Sequence, residues 1–314
     1  MATYKTFNIK LLDNINGVSY IGNPKNYSMM YLTKKIESKL TLLTDVVGCL
    51  IFIEDNIVIP SVIAENNSII VCKNPSSLYA EVALKLEEKI KRENLNRKYS
   101  LGKEGYIIGE NVNLGKNTII EPGVFIDHDV TVGDFVLIKT GAKIRSKTII
   151  GDNCIIGENS VIGEPAFNMA TLEDGRFLTI PSFGGVVIMD NVFIGANTSI
   201  SRGAADNTTI GDSVKIASNI RIGHDVQLHS FVEIRGGSVI GGYCEIGEHS
   251  EIAMNCTLKN RIRLGKNCFV GMGSVVFNDV SDNLTVTGNP AIKLQESIMI
   301  NAKLRGMLLQ STRK

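Results

Sequence analysis

The sequence of 314 residues has no tryptophan, no CxxC pair among its six cysteines and almost no net charge, at +1. The cysteine spacing predicts neither a disulfide framework nor a zinc site, so we expect no bound metal. The charge balance gives no reason to expect nucleic acid or an anionic membrane as a partner. No apolar run approaches the ~18 residues that cross a bilayer, and residues 1–10 lack the apolar core of a signal peptide. We therefore expect a cytoplasmic protein without membrane insertion.

A region of six-residue repeats spans just over half of the sequence. From Tyr106 to residue 279 the chain divides into 25 repeats, interrupted by residues 166–185 and by a four-residue insert at 204–207. The third residue of every repeat is Ile, Leu or Val, and the first is nearly always small or β-branched. A period of six fits a short strand followed by a turn, and three such sides close one coil of about 18 residues.

Side chains of a strand alternate in direction, so the first and third residues of each repeat both point inward. Cys154, Cys244, Cys256 and Cys268 occupy the first position, and we expect them in the core rather than in a reactive site. Gly is frequent at the fourth position, where we expect a turn that needs positive φ. The pattern resembles the hexapeptide-repeat family, which implies a mainly β fold, the left-handed parallel β-helix, and usually a homotrimer.

The remainder of the chain does not repeat. Within residues 1–100, short apolar runs predict strands and residues 78–95 predict an amphipathic helix, so we expect a small α/β domain. The β-helix follows at 101–290 and the excursion at 166–185 is expected to be functional, because long loops in compact domains usually are. Residues 291–314 predict a short C-terminal helix.

Four histidines are the candidates for a base that works near neutral pH. His128 and His224 both occupy the fifth repeat position, and twelve repeats place them on one column, four coils or roughly 19 Å apart. His229 and His249 occupy other positions. Turn histidines on a β-helix are mostly solvated surface residues, so spacing alone leaves all four open.

One feature favours His224 over His128. Gly242 lies one coil beyond His224, where stacking places its amide beside the imidazole and the missing side chain leaves room for a substrate. Ser146 occupies the corresponding place beyond His128.

Three segments carry a more specific resemblance. IGANTSISRGAADNTTIGDSVKIASNIRIGHDVQLHS, at 194–230, resembles the core of the UDP-3-O-acylglucosamine N-acyltransferases of lipid A synthesis. SYIGNPKNYSMMYL and VCKNPSSLYAEVALKL are similar to that family's uridine-binding domain. The resemblance covers most of the chain. It implies a cytoplasmic transferase without bound cofactor, moving an acyl group from acyl-CoA or acyl carrier protein to the amino group of a nucleotide-linked amino sugar.

The resemblance also implies roles for individual residues. His224 matches the family's catalytic base, and Gly242 matches the glycine whose amide stabilises the oxyanion. The GNPA sequence resembles acetyl-CoA-dependent hexapeptide acetyltransferases, in which it borders the pantetheine channel. This implies an acyl-donor site at Gly288, Asn289 and Pro290.

The family's uracil pocket begins with an aromatic residue, followed by Asn three residues later and by Tyr about three residues further on. Tyr20 and Asn23 match the first two, and either Asn26 or Tyr27 matches the third. An aromatic ring can stack on a base and Asn can pair with its amide edge. The alternative is that Tyr20 is a core residue of a strand.

Departures from the family pattern keep several functions open. Arg261 stands where the family has a second functional histidine, and the family's IDRG becomes ISRG with Ser201. The family's C-terminal helix carries a Trp, and this chain has no Trp. These differences favour a relative that acylates another UDP- or dTDP-linked amino sugar for a surface polysaccharide. The alternatives are the lipid A enzyme itself and a non-catalytic β-helix scaffold. A carbonic-anhydrase-like metal site would need three clustered histidines, which the repeat spacing does not provide.

Overall fold

The computed structural model describes residues 9–172, 174–288 and 293–311. The N-terminal part forms a parallel sheet in the order β1-β2-β3-β4, with helices packed on it. Its elements are β1 (Gly17–Val18), β2 (Ser28–Leu32), β3 (Leu50–Glu54), β4 (Ser68–Cys72), α1 (Ser61–Asn66), α2 (Pro75–Glu93) and the 3₁₀ segments Ile9–Leu12 and Lys34–Leu43. Helix α2 begins where Asn74 accepts the Ser77 N–H, and it buries Tyr79 and Ala80 against the sheet.

The repeats form three parallel sheets, here named A, B and C, which wind into a left-handed β-helix and confirm the predicted fold class. The strands of sheet A are Asn113–Leu114, Thr131–Val132, Thr148–Ile150, Val186–Ile188, Thr208–Ile210, Gln227–Leu228, Glu245–Ile246 and Arg263–Leu264. Those of sheet B are Ile119–Ile120, Leu137–Ile138, Ile155–Ile156, Phe193–Ile194, Lys215–Ile216, Glu233–Ile234, Glu251–Ile252, Phe269–Val270 and Thr285–Val286. Those of sheet C are Ile107–Ile108, Phe125–Ile126, Lys143–Ile144, Val161–Glu164, Ser199–Ser201, Arg221–Ile222, Val239–Ile240, Thr257–Leu258 and Val275–Val276. Ser100–Leu101, which precedes the repeats, joins the edge of sheet C in antiparallel orientation.

Stacked coils place like residues over like residues. Ile222 pairs with Ile240 one coil on, and both are almost fully buried in a core that runs along the helix axis. Burying one such side chain contributes ~1.5–3 kcal/mol relative to leaving it exposed. The prediction for the first-position cysteines is confirmed, because all four are buried: Cys154, Cys244, Cys256 and Cys268.

The turn prediction for the fourth-position glycines is wrong for all of those described except Gly163, whose φ is 89°. In most of the other repeats positive φ occurs at the sixth position, often at Asn, as in Asn111 and Asn153. The fourth-position glycines serve coil stacking, since a Cβ on Gly115 would come within 2.3 Å of the Gly133 carbonyl group. Asn tolerates the left-handed conformation better than most side chains, which explains its repeated use at these corners.

The two interruptions lie against the N-terminal domain. The excursion forms an antiparallel hairpin, Met169–Thr171 with Phe177–Thr179, that packs on α2. Ala170 and Ile180 are buried in the same hydrophobic cluster as residues of that domain. The insert at 204–207 is looped out of the stack. Both interruptions therefore lie between the coils and the first domain. The predicted C-terminal helix is present as α3, Leu294–Ser311.

Candidate active site

His224 and Asp225 form a hydrogen-bonded pair at the turn that follows strand Arg221–Ile222. The His224 Nδ1 atom lies 2.8 Å from Asp225 Oδ2. The carboxylate is almost buried, with 7% of its side chain exposed, and its Oδ2 also accepts the Ala204 N–H at 2.8 Å. The Asp225 N–H donates to Thr208 Oγ1. The carboxylate is thus fixed from two sides, and the four-residue insert supplies one of its partners.

This pairing decides which nitrogen of His224 can act as a base. A carboxylate only accepts hydrogen bonds, so Nδ1 carries the proton and Nε2 keeps its lone pair. Gly242 lies one coil further on, as predicted, and a Cβ placed on it would come within 2.8 Å of His224 Nε2. Glycine therefore leaves open the space that a proton donor would need in front of Nε2.

His128 has the opposite arrangement, although it shares the His-Asp dipeptide and the column. The sheet order places four coils between the two histidines, as predicted. The Glu110 N–H donates to His128 Nδ1 at 2.7 Å, so the proton of the neutral ring resides on Nε2. Asp129 is engaged by Arg97 and does not orient the ring. The other two histidines are exposed, and their described contacts are with surface groups: His229 with Glu245, and His249 with Phe231 and Glu248.

Tyr243 connects His224 to the N-terminal domain. Its ring meets the His224 ring edge to face, with centroids 4.9 Å apart, and lies 6.0 Å from the Tyr20 ring. Arg261, one coil beyond Tyr243, stacks over Tyr243 at 4.3 Å. The structure thus brings the predicted nucleotide-binding Tyr20 and the predicted base into contact with one aromatic ring. Tyr20 is half-buried at the domain boundary rather than in the strand core.

The tyrosines of this region differ in protonation chemistry. Burial raises the pKa of Tyr243 and of Tyr79 well above the usual range. Burial by itself would raise the pKa of Tyr20. The hydrogen bonds and charges of Lys39 and Arg261 outweigh this effect, so the pKa of Tyr20 is lowered. The Lys39 Nζ donates to Tyr20 Oη at 2.9 Å. The environment of Tyr20 therefore favours negative charge.

The remaining residues predicted for the nucleotide do not all lie together. Asn23 donates to Asp206 in the insert at 3.1 Å, which keeps it beside Tyr20. Asn26 accepts the Val47 N–H, and Tyr27 lies over Gly48 on another side of the domain. Their roles stay predictions. Their present contacts fix the loop before β2.

The predicted acyl-donor residues lie only partly within the described structure. Gly288 lines a groove of about 250 Å³ at the C-terminal end of the coils, and its N–H donates to Ser274 Oγ. Asn289 and Pro290 lie outside the described residues. Three strand spacings, about 14 Å, separate strand Arg221–Ile222 from the strand that borders this groove. Within the described ranges, no group of three or more His, Cys, Asp or Glu side chains could hold a metal ion.

Asp225, Ala204 and Tyr243 are the functional candidates that the repeat pattern did not identify. A His-Asp dipeptide marks both His224 and His128, so the pair alone could not select one. The four-residue insert distinguishes them, because it places the Ala204 amide against Asp225. A break in a regular repeat that falls within one coil of a histidine is therefore the usable signal.

Comparisons with known proteins support the hexapeptide resemblance. The family described as bacterial transferase hexapeptide (six repeats) matches residues 129–164. The hexapeptide repeat of succinyl-transferase matches 105–137, 185–224 and 236–278.

Named relatives match over short stretches. A UDP-3-O-acylglucosamine N-acyltransferase of Bordetella avium is 54% identical over 46 residues, 15% of this chain and 13% of that protein. One from Coxiella burnetii is 50% identical over 50 residues, 16% of this chain and 15% of that protein. The chain thus aligns with less than a sixth of these relatives, and the stretches confirm the resemblance without defining the activity.

Solved structures show the same fold. A UDP-N-acetylglucosamine acyltransferase from Campylobacter jejuni superposes with a TM-score of 0.54 at 24% identity, covering 60% of this chain and 72% of that one. The Francisella novicida enzyme gives 0.55 at 23% identity, covering 64% and 73%. The predicted β-helix is confirmed by these neighbours. Among the described helices none is both long and apolar enough to cross a membrane.

Proposed function

We propose that this protein is a thioester-dependent acyltransferase that acylates the amino group of a nucleotide-linked amino sugar. The observation that carries the proposal is the Asp225–His224 pair, whose free Nε2 faces the space left by Gly242. A base fixed by a buried carboxylate, with one nitrogen open, is the arrangement required to deprotonate a bound nucleophile. Relatives named as acyltransferases support the reaction class.

The proposed reaction uses groups that are already in place. The attacking nitrogen gives a proton to His224 Nε2 as it forms a bond to the thioester carbonyl carbon, and Asp225 stabilises the resulting imidazolium. The Gly242 N–H makes no hydrogen bond among the described residues, so it can donate to the oxyanion. Collapse of the tetrahedral intermediate breaks the carbon–sulfur bond, and the thiolate takes the proton from Nε2.

The acceptor nucleotide and the acyl-donor thioester are assigned to different parts of the site. Tyr20, which lies 6.0 Å from the Tyr243 ring, and the neighbouring Asn23 are proposed to bind the nucleobase. Asn26 or Tyr27 would join them only if the loop before β2 shifts. The acyl-CoA or acyl carrier protein thioester is proposed to approach from the groove at Gly288, with Asn289 and Pro290 following it in the chain.

A homotrimer is proposed because sheet B carries an apolar stripe on its outer face. Ile119, Leu137, Ile155 and Phe193 stack directly over one another, and each is at least partly exposed. Contiguous exposed apolar residues mark interaction surfaces more often than isolated ones do. A neighbouring copy seated on this stripe would exclude water from it.

The identity over 46 residues favours one second candidate, the N-acyltransferase of lipid A synthesis. The donor discriminates between the two. Turnover with acetyl-CoA or another short acyl-CoA supports an enzyme of surface polysaccharide synthesis, whereas a strict need for a 3-hydroxyacyl carrier protein supports the lipid A enzyme. A non-catalytic scaffold would turn over neither.

The test of the proposal is a pair of alanine variants on the same column. We expect His224→Ala to lose ~10²–10⁴-fold in kcat, because a general base contributes that much. His128→Ala is the matched control, and its kcat should stay near that of the wild type. Release of free thiol from a panel of donors with UDP- and dTDP-amino sugars measures both. Unchanged turnover in His224→Ala would exclude it as the base.

A further inference from the structure

A narrow cavity separates the N-terminal domain from the coils beside His224. It measures about 70 Å³ and is lined by Tyr20, Tyr31, Tyr79 and Tyr243, with Arg261 and residues of both interruptions at its border. Part of each interruption contributes, through Asn168, Ile180, Ala204 and Ala205. The N-terminal domain, the coils and the two interruptions therefore all contribute side chains to the wall of the cavity.

Two cations contact the rings of this cavity. Lys39 Nζ lies 4.6 Å from the centre of the Tyr20 ring, and the Arg261 guanidinium lies 4.3 Å from that of Tyr243. In the described part of the chain, neither side chain has a carboxylate within 4 Å. Stacking on the aromatic face limits the rotamers of Arg261, and its guanidinium, like the Lys39 ammonium, hydrogen-bonds to the Tyr20 side chain.

The nearby carboxylates are engaged elsewhere. Asp225 accepts from His224 and from the Ala204 amide. Asp206 accepts from Lys25 and Asn23. Lys39 and Arg261 therefore leave a local excess of positive charge that no described carboxylate neutralises, on the tyrosine rings that adjoin the proposed base.

We propose that Lys39 and Arg261 form a subsite for an anionic group of the acceptor substrate. This inference rests on the proposed function for the position of that group: the Tyr243 ring contacts both Tyr20 and His224, and the two cations stack on Tyr20 and Tyr243, so the pair borders the path from nucleobase to reacting amine. Two sources of the anion fit this place, the diphosphate that links nucleoside to sugar and a carboxylate on the sugar itself. Guanidinium and ammonium groups bind both oxyanions strongly.

Binding measurements separate the two sources without needing turnover. Calorimetric titration of the wild type, Lys39→Gln and Arg261→Gln with uridine, UDP and thymidine diphosphate tests the phosphate. Titration with a UDP-amino sugar and with the matching UDP-amino uronic acid tests the carboxylate. Arg263→Gln is the control, since it removes the same charge from an exposed residue whose partner is Glu245.

We expect Lys39→Gln and Arg261→Gln to weaken nucleoside diphosphate binding by about tenfold or more, with uridine unaffected, because a hydrogen bond to a charged group is lost. An effect confined to the uronic acid supports the subsite and assigns it to the carboxylate. Equal affinities of both variants and the wild type for every anionic ligand would overturn the proposal. The two failures are distinguishable, because the proposed function would fail if the wild type bound these ligands but transferred no acyl group.

Discussion

Replacing Asp225 with asparagine tests the orientation of the proposed base directly. Asp225 Oδ2 accepts two hydrogen bonds, from His224 Nδ1–H and from the Ala204 N–H, each at 2.8 Å. Because an N–H must meet an acceptor, the Ala204 amide should hold the oxygen of the new asparagine at this place. His224 would then keep its proton on Nδ1. The φ of 56° at residue 225 also suits asparagine.

The expected loss follows from the kind of hydrogen bond that changes. A bond to a charged group contributes ~1.5–3 kcal/mol and a neutral one ~0.5–1.5, so the imidazolium should lose roughly 1.4 kcal/mol of stabilisation. That difference lowers kcat about tenfold. Asp225→Ala removes the acceptor and leaves the Ala204 amide unpaired, so we expect a loss of ~10²–10³-fold in kcat.

The assay is kcat from thiol release, compared across Asp225→Asn, Asp225→Ala and His224→Ala, with circular dichroism to verify the fold. The predicted order is a small loss for asparagine and larger losses for both alanine variants. Where an amide inverts the tautomer of a catalytic histidine, the loss is ~10⁴-fold. If Asp225→Asn were as inactive as His224→Ala, the Ala204 amide would not be holding the oxygen as assigned.

Two further predictions concern other parts of the coils. Gly242→Ala should lower kcat at least tenfold without lowering the melting temperature appreciably, because its Cβ would lie 2.8 Å from His224 Nε2; normal turnover would contradict the role of that space. The hydrogen bonds from Arg97 hold the pKa of Asp129 at about 2, below its ordinary 3.8, so its contribution to stability is present above about pH 4 and lost as pH falls towards 2. Since 37% of that side chain is exposed, Asp129→Asn should reduce the free energy of unfolding by only about 1 kcal/mol at pH 7. Urea denaturation at pH 7 and near pH 2 should show this difference disappearing in acid, and a difference independent of pH would contradict the ion pair.

The coils could be predicted from sequence because the six-residue period determines which side chains pack inside them. The aliphatic residue at the third position of each repeat, such as Ile222, can be buried only inside the coil. The pairing of Ile222 with Ile240 therefore followed from counting repeats. The assignment of positive φ to the fourth position failed because glycine has two uses. Close stacking of Gly115 against Gly133 requires the missing side chain as strictly as an unusual φ would.

For the candidate site, the sequence predicted only which residues stack on one column of the coils. Counting placed Gly242 beside His224, but the orientation of the imidazole depends on Ala204, which the repeat skips. Likewise, the contact of Tyr20 with Tyr243 joins residues more than 200 positions apart and depends on how the N-terminal domain docks. No local pattern encodes that docking, because it arises from the packing of α2 against the hairpin.

That docking gives the chain a boundary that differs from its order in sequence. The hydrophobic cluster beneath α2 contains Ala170 and Ile180 from the hairpin as well as Phe52 and Tyr79 from the first domain. A chimera that exchanged only residues up to 100 would press a foreign surface against the original hairpin. The exchangeable module is therefore discontinuous, consisting of the first domain together with the hairpin, and the coils on either side form a separate continuous frame.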